Sequence, residues 1–586
     1  LVPAGKALYA DFEADGLPQA GLGFAVGVFP KGGDSAMLTK EMREVLASVL
    51  KGGVSAELVE ASKRQEIAQL EFQKNSVPGL ANAWSEALAF QGLHSPEDMI
   101  RAFRAVTAAD VDRVAHRYLD ERRMITAVLT PESSGKPISG KGFGGAESLA
   151  SSPEKPVPLP DWAEQALANL NMPQSTIHPE VSTLPNGIKL IVQPEDVSDT
   201  VSVYGGIANR AVMQEPKGQD GVSQVLDGLF EYGSTSLDRL AFQKALDDIS
   251  AQESAGTSFS VQAPSRDFER AVQLLADNEL HPALPADAFK VVQTQTARFL
   301  AGNLESPDYL FQRAYVKGLV PAGDPSLREA TPQSVMKLTL DDVRGYYAAA
   351  FRPDLVSIVV IGKVTPEEAR RVVEKYFGTW TAKGPRPTTD LPAIPVNPPS
   401  EAVVPDQSSV QDQVALVQSL GTDLFNPQRY ALEVGNQVLG GGFYASRLSR
   451  DLREKSGLVY TVSSQFQWGR TRGFYQVSYG CDPDKVSQAR SLVLNDLAAM
   501  QQSPISEVEL SRAQATLLRR IPLKAASMED VARNLLKYSL DGEPLDEDVV
   551  AAQHYAKITA AEVQAAFKRW LRPADMVEVV KGPEPK

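Results

Sequence analysis

One cysteine, Cys481, is all the thiol chemistry this 586-residue chain contains. A single cysteine closes no intramolecular disulfide and builds no cysteine-based zinc cluster. Histidine is nearly as scarce. The five present (His94, His116, His178, His281 and His554) are scattered, with no pair at metal-ligand spacing, so each reads as a structural residue rather than a ligand. Positive charge is in deficit: 59 Lys and Arg stand against 73 Asp and Glu, a formal net charge of −14. Phosphate binding needs a basic surface, so no nucleic-acid partner is expected, and the acidity reads as an aid to solubility. No apolar run approaches the ~18 residues of a membrane-spanning helix. The chain begins at Leu1 with no basic-then-apolar leader. The expectation is that the native N-terminus, and with it any signal peptide, lies outside these residues.

What is present is ordinary globular composition, 43% hydrophobic and 23% charged, at a length for about three or four domains. An internal repeat organises it. Val106-Thr107-Ala108-Ala109-Asp110-Val111, Leu338-Thr339-Leu340-Asp341-Asp342-Val343 and Ile558-Thr559-Ala560-Ala561-Glu562-Val563 each set Thr three residues before a carboxylate, the capping-box spacing that opens a helix. After each predicted helix comes an apolar run, Met124 to Leu129, Leu355 to Ile361 and Met576 to Val580, expected as a strand. Three such copies point to duplication. A further echo, Ser55-Ala56-Glu57-Leu58 against Ser506-Glu507-Val508-Glu509-Leu510, sets residues 1–130 beside the last part of the final copy. Leu184-Pro185-Asn186-Gly187-Ile188 reads as a hairpin turn, Val201 to Ile207 as a strand, and Gly218 to Leu229 as a helix. Long helices are expected near 265–278 and 286–303. Strands gathered early and helices later argue for α+β units with helices on a sheet face. The expected division is 1–130, the C-terminal part of a truncated unit; 131–178, a Pro/Gly/Ser-rich linker; 179–383; 384–407, a Pro-rich linker; and 408–586.

The most specific stretch is Leu439-Gly440-Gly441-Gly442-Phe443, running through Ser446-Arg447-Leu448 to Leu452-Arg453-Glu454-Lys455-Ser456-Gly457-Leu458-Val459-Tyr460. It reads as a glycine-rich turn, a helix ended by Gly457, and a strand. Arg453 brings a permanent planar cation and Tyr460 a phenolic donor, a pair able to grip a peptide carbonyl or a developing oxyanion. Taken singly, each has a plainer reading, as a helix-end cation and a core tyrosine. Gly440, Gly441 and Gly442 lack a following Gly-Lys-Ser/Thr, which argues against a phosphate loop.

The run resembles the C-terminal half of the M16 zinc metallopeptidases (pitrilysin/insulinase), and the resemblance extends from about residue 7 to 582. It implies tandem α+β units, each a mixed, largely antiparallel sheet backed by helices. It also implies catalytic roles for Arg453 and Tyr460, with the three glycines near the substrate. The catalytic half of that family carries His-x-x-Glu-His, which is absent here. The corresponding helix reads Gln224 and Gly228 at the ligand positions and Asp227 at the base position. Glycine offers no ligand, Gln a poor one, and Asp is one methylene short of Glu. The helix implied to give the third ligand, Val292-Gln293-Thr294-Gln295-Thr296-Ala297-Arg298, has no carboxylate either.

The resemblance therefore implies the substrate-binding half of a zinc metalloendopeptidase acting on short or unfolded polypeptides. Zinc would sit in a complementary M16 half, none would be bound by this chain, and this chain alone would be inactive. The alternative is a non-catalytic M16-like peptide-binding or scaffold subunit of a heteromeric complex. A periplasmic or otherwise exported location is expected, with the cytoplasm as the alternative.

Overall fold

All three capping boxes form. In the computed structural model, Thr107, Thr339 and Thr559 N-cap the helices Ala108–Tyr118, Leu340–Ala350 and Ala560–Trp570, and the carboxylate three residues on reaches back to the cap amide each time. A single 3₁₀ turn follows each helix, at Glu121–Arg123, Pro353–Leu355 and Pro573–Asp575. The structure describes Leu1, residues 6–17, 19–29, 33–129, 160–168 and 172–583, and Pro585. Most of the connector expected at 131–178 lies outside them.

β1 (Tyr9–Leu17) and β2 (Ala20–Val28) form an antiparallel pair on their own. A six-stranded sheet follows, built from β3 (Glu180–Thr183), β4 (Lys189–Pro194), β5 (Thr200–Ile207), β6 (Gln252–Ser254), β7 (Ser258–Pro264) and β8 (Val356–Gly362), in the order β3-β4-β8-β5-β7-β6. The last sheet holds β9 (Ser400–Pro405), β10 (Asp412–Ser419), β11 (Val459–Trp468), β12 (Gly473–Cys481) and β13 (Val577–Gly582), in the order β11-β12-β10-β13-β9. Only β4–β8 and β9–β13 are parallel, so both sheets are mixed and largely antiparallel. β9 falls inside the Pro-rich stretch 384–407, which is thus only partly a connector. The helix expected over 218–229 begins at Val222, because Gly218 and Gly221 both take positive φ.

Every residue of β5, β8 and β13 is buried, which means both faces of each sheet are covered. One cover is the sheet's own helices. The other is exchanged. Met528, Val531, Ala532 and Leu535, from the helix Met528–Asp541, pack on Ile191, Tyr204, Val359 and Ile361 of the six-stranded sheet. Reciprocally, Phe311, Ala314, Tyr315 and Leu319 of the helix Pro307–Leu319 pack on Ala415, Val417, Val577 and Val579 of the five-stranded sheet. Each aliphatic side chain so buried contributes about 1.5–3 kcal/mol, against about 0–1 kcal/mol for a surface ion pair. Apolar exchange therefore dominates the cohesion of the two sheets. A second correspondence links the two parts. Gln293 Nε2 donates to the carbonyls of Val335 and Leu338, just ahead of the Thr339 cap. Gln514 Nε2 donates to those of Tyr555 and Ile558, just ahead of the Thr559 cap.

The expected strand at Met124–Leu129 does not form; that stretch has no regular structure. Its counterparts β8 and β13 each lie between two strands, whereas the β1–β2 pair stands alone among the described residues. An apolar segment with no ladder to join leaves its amides to water, and Ile125 is 96% exposed.

Candidate functional site

The helix Arg429–Asn436 runs into a π-helical turn, Gln437–Gly441, and a 3₁₀ turn, Phe443–Ala445. Close packing explains the glycines. A Cβ on Gly440 would lie 2.4 Å from Ser464 Oγ and 2.8 Å from Leu448 Cδ1, and one on Gly441 would lie 2.8 Å from Asn436 Nδ2. The helix and β11 thereby touch, tied by Asn436 Nδ2 donating to Ser464 O at 2.9 Å and Ser464 Oγ donating to Asn436 Oδ1 at 2.6 Å. Phe443 then takes φ 50°, a left-handed conformation that costs a bulky residue on the order of 1–3 kcal/mol. The strained turn presents Phe443 and Tyr444 to solvent, ring against ring at 4.2 Å.

Arg453 follows in the π-helical segment Ser449–Glu454. Its guanidinium lies 4.9 Å from the centre of the Tyr444 ring, a cation–π contact. It is half-buried, and among the described residues it joins no ion pair. Gly457, at φ 59°, turns the chain, and Leu458 N–H donating to Leu452 O at 2.9 Å fixes the junction with the strand. Tyr460 sits at an irregularity in the β11–β12 ladder: Val459 pairs with Cys481 and Thr461 with Gly480, so Tyr460 is the extra residue of a bulge. Bulges re-aim side chains, and here the phenol faces solvent and donates to Asp482 Oδ1 at 3.2 Å. Arg453 and Tyr460 share no hydrogen bond among the described residues. Burial, then the Asp482 carboxylate, raises the Tyr460 pKa above the usual phenol value, which keeps the proton in place for donation. Phe443, Tyr444 and Asp482 were not singled out from the sequence. The two aromatics adjoining the glycine run were the available signal for the first two; Asp482 had none.

Gln224, Asp227 and Gly228, expected at the degenerate zinc position, lie on the helix Val222–Leu229 beside the other sheet. Gln224 and Asp227 face outward, and Gly228 packs on the helix Ala286–Leu304: a Cβ there would lie 2.7 Å from Val292 Cγ1. No larger side chain fits at 228 without moving Val292. Among the described residues no three His, Cys, Asp or Glu side chains group so as to hold a metal ion. The donors at 224, 227 and 228 do not fit zinc. Gly228→Ala is expected to destabilise the protein by about 1–3 kcal/mol through overpacking, measurable by urea unfolding.

Beside this helix lie two carboxylates that sequence reasoning passed over. Glu279 is fully buried; its Oε2 accepts from Gly256 N–H at 2.9 Å, and its Oε1 has no partner. Burial, with the Glu253 and Asp227 charges adding to it, raises Glu279 well above the usual carboxyl range. Burial pushes Glu253 up to about 8. These groups hold protons in the folded state that the unfolded chain gives up near its ordinary value of about 4.3. The folded state thus binds more protons between about pH 4.3 and about pH 8, and stability falls as pH rises through that window. Glu253→Gln should raise stability at pH 8 by about 2 kcal/mol, after discounting for partial exposure, and leave it nearly unchanged at pH 4. Paired denaturation curves at the two pH values check this.

Residues 337–517 match the family described as the peptidase M16 inactive domain. An uncharacterized zinc protease of Mycobacterium tuberculosis is 23% identical over 382 residues, covering 62% of this chain and 85% of that protein. The crystal structure of a peptidase M16 inactive domain from Pseudomonas fluorescens superposes with a TM-score of 0.62 at 22% identity, over 70% of this chain and 99% of that one. The periplasmic protease PqqL from Escherichia coli superposes with a TM-score of 0.59 at 15% identity, over all of this chain and 68% of that one. The structural likenesses give the fold, a pair of mixed sheets with their helices, and the sequence match runs from the end of the part with the six-stranded sheet into the part with the five-stranded one. On these grounds residues 337–517 are similar to the peptidase M16 inactive domain, and the chain has the fold of the M16 proteins it superposes on.

Proposed function

We propose that this chain is the substrate-binding half of an M16-type zinc metalloendopeptidase, closing over zinc held by a complementary half outside these residues. Short or unfolded polypeptides are the proposed substrates. Arg453 orients a substrate carbonyl, Tyr460 donates to the tetrahedral oxyanion, and the Gly440–Gly442 turn borders the bound peptide. The observation that carries the reading is the half-buried Arg453 with no carboxylate partner, stacked on Tyr444 at the end of a strained turn. A half-buried cation lacking a counter-charge is suited to an electron-rich ligand atom. A periplasmic or otherwise exported location is proposed, with the cytoplasm as the alternative; PqqL is described as periplasmic. No helix among the described residues is long and apolar enough to cross a membrane.

The test is reconstitution. The polypeptide encoded directly upstream of Leu1 is expressed separately, and cleavage of a fluorogenic unfolded peptide is followed with zinc present. Neither part alone should cleave; the mixture should, and a chelator should stop it. Stoichiometric zinc in the isolated 586-residue chain, or hydrolysis by it alone, would sink the proposal. Binding of peptide without hydrolysis by the mixture would favour the second reading, a non-catalytic peptide-binding or scaffold subunit, with which Gln224, Asp227 and Gly228 are compatible.

A further inference from the structure

Among the described residues, no carboxylate or carbonyl takes an N–H of the Arg453 guanidinium; the side chain lies instead over the Tyr444 ring, 4.9 Å from its centre. Arg429 shows the contrary case. It lies 4.8 Å from the centre of the Tyr430 ring, but its donors are spent inside the fold. Nη1 donates to Leu424 O and to Glu543 Oε1, both at 2.8 Å, and Nη2 donates to Tyr430 Oη at 3.0 Å and to Glu547 Oε1. A ring face holds an arginine differently from a carboxylate. It attracts the charge through its quadrupole and takes none of the five N–H donors.

The glycine run sets the ring in place. A Cβ on Gly442 would lie 2.6 Å from Gln437 O, so the chain turns this tightly only with glycine there, as at Gly440 and Gly441. Ser446, a buried residue, fastens the turn: its N–H donates to Phe443 O at 3.1 Å and its Oγ donates to the same oxygen at 2.7 Å. Phe443 keeps its left-handed φ of 50° with its side chain 65% exposed, so burial of that ring does not offset the strain. What the strain secures is the neighbour. Phe443 meets the Tyr444 ring in a T-shaped contact at 4.2 Å, and Tyr444, itself 49% exposed, carries Arg453 on its face.

We infer that Tyr444 is a positioning residue for Arg453: its ring, propped by Phe443, fixes the guanidinium while leaving every N–H free for a substrate carbonyl. The inference rests on the proposed function for that ligand, but the hold of Tyr444 on Arg453 is a property of this chain. A flexible arginine would lose rotamer freedom on binding, and an arginine already held on a ring has lost it beforehand. A half-buried contact of this kind is worth about threefold to thirtyfold in an equilibrium.

Two measurements test it. In the 586-residue chain alone, arginine-selective isotope labelling reads the proton shift of the Arg453 δ-methylene by NMR, assigned with Arg453→Lys. The Tyr444 ring should move that signal upfield; Tyr444→Phe should keep the shift, and Tyr444→Leu should return it to the position of an exposed arginine. In the reconstituted peptidase, Tyr444→Leu should lower kcat/KM about threefold to thirtyfold, and Tyr444→Phe should recover most of the loss. In an Arg453→Ala background, Tyr444→Leu should cost less than about twofold, because Tyr444 acts through Arg453. Urea unfolding of Tyr444→Leu confirms folding. An Arg453 signal unmoved by Tyr444→Leu overturns the inference. So does a full Tyr444→Leu loss in the Arg453→Ala background, which would make the ring a substrate contact. A ring-shifted Arg453 signal in a chain whose mixture does not hydrolyse peptide, or hydrolyses it regardless of Arg453→Ala, supports the hold of Tyr444 and counts against the proposed function. Hydrolysis that needs Arg453 and ignores Tyr444→Leu overturns the inference and leaves the proposed function standing.

Discussion

Replacing Tyr460 with phenylalanine is expected to lower kcat of the assembled peptidase about 10²-fold with KM nearly unchanged, the loss found when one oxyanion donor is removed. In the proposed role the phenol would donate most strongly once the oxyanion has formed, so its removal would penalise the transition state more than the bound substrate. The fold should not notice. Tyr460 is 46% exposed at a bulge, and its partner Asp482 retains Lys485 at 2.7 Å. Since burial and Asp482 both raise its pKa, activity should persist through neutral pH and decline only above the ordinary tyrosine range. Arg453→Ala should also lose activity, with part of the loss in KM because the cation meets the ground-state carbonyl too. Steady-state kinetics on the two variants decide the roles: turnover within about twofold of the parent would show that neither side chain serves the reaction.

The largest expected effect on stability comes from Asp324→Ala, about 3–5 kcal/mol, the cost of stranding a buried charge. Asp324 sits ahead of a turn in the segment before the Leu340–Ala350 helix, and Arg472 stands at the start of β12. The guanidinium spans both carboxylate oxygens, at 3.1 and 2.8 Å, with side-chain exposures of 5% and 3%. Arg472 Nε also donates to Pro392 O. Without Asp324 the cation keeps one carbonyl and no counter-charge. Burial by itself would raise the Asp324 carboxyl, but the hydrogen bonds from Arg472 and Ser326 outweigh it and leave the pKa lowered. A carboxyl lowered on folding stabilises above its unfolded value near 3.9, and that contribution is lost as pH falls through the folded value. The parent should therefore weaken in acid, whereas Asp324→Ala should lack this part of the acid limb. Urea unfolding of the single variant and of Asp324→Ala with Arg472→Met separates pair from packing. If the double variant is no more stable than the single, the stranded cation is not the cause.

Much of the fold was legible along the chain because its signals are local. A capping box is closed by groups three residues apart, so Thr107, Thr339 and Thr559 could be read without knowing what surrounds them. The Asn186-Gly187 turn and the apolar runs of β5 and β8 were readable for the same reason. Met124–Leu129 carried the same pattern and failed, since a strand exists only by virtue of its neighbours.

Residue identity alone settled that no His-x-x-Glu-His lies in this chain: ligand chemistry is a property of the side chain present. Packing decided the rest. The bulge that turns Tyr460 outward, the proton-holding Glu253 and Glu279, and the exchange of helices between sheets all depend on residues distant in sequence. Desolvation and ladder register are fixed only when those distant surfaces meet, so no reading along the chain could have supplied them.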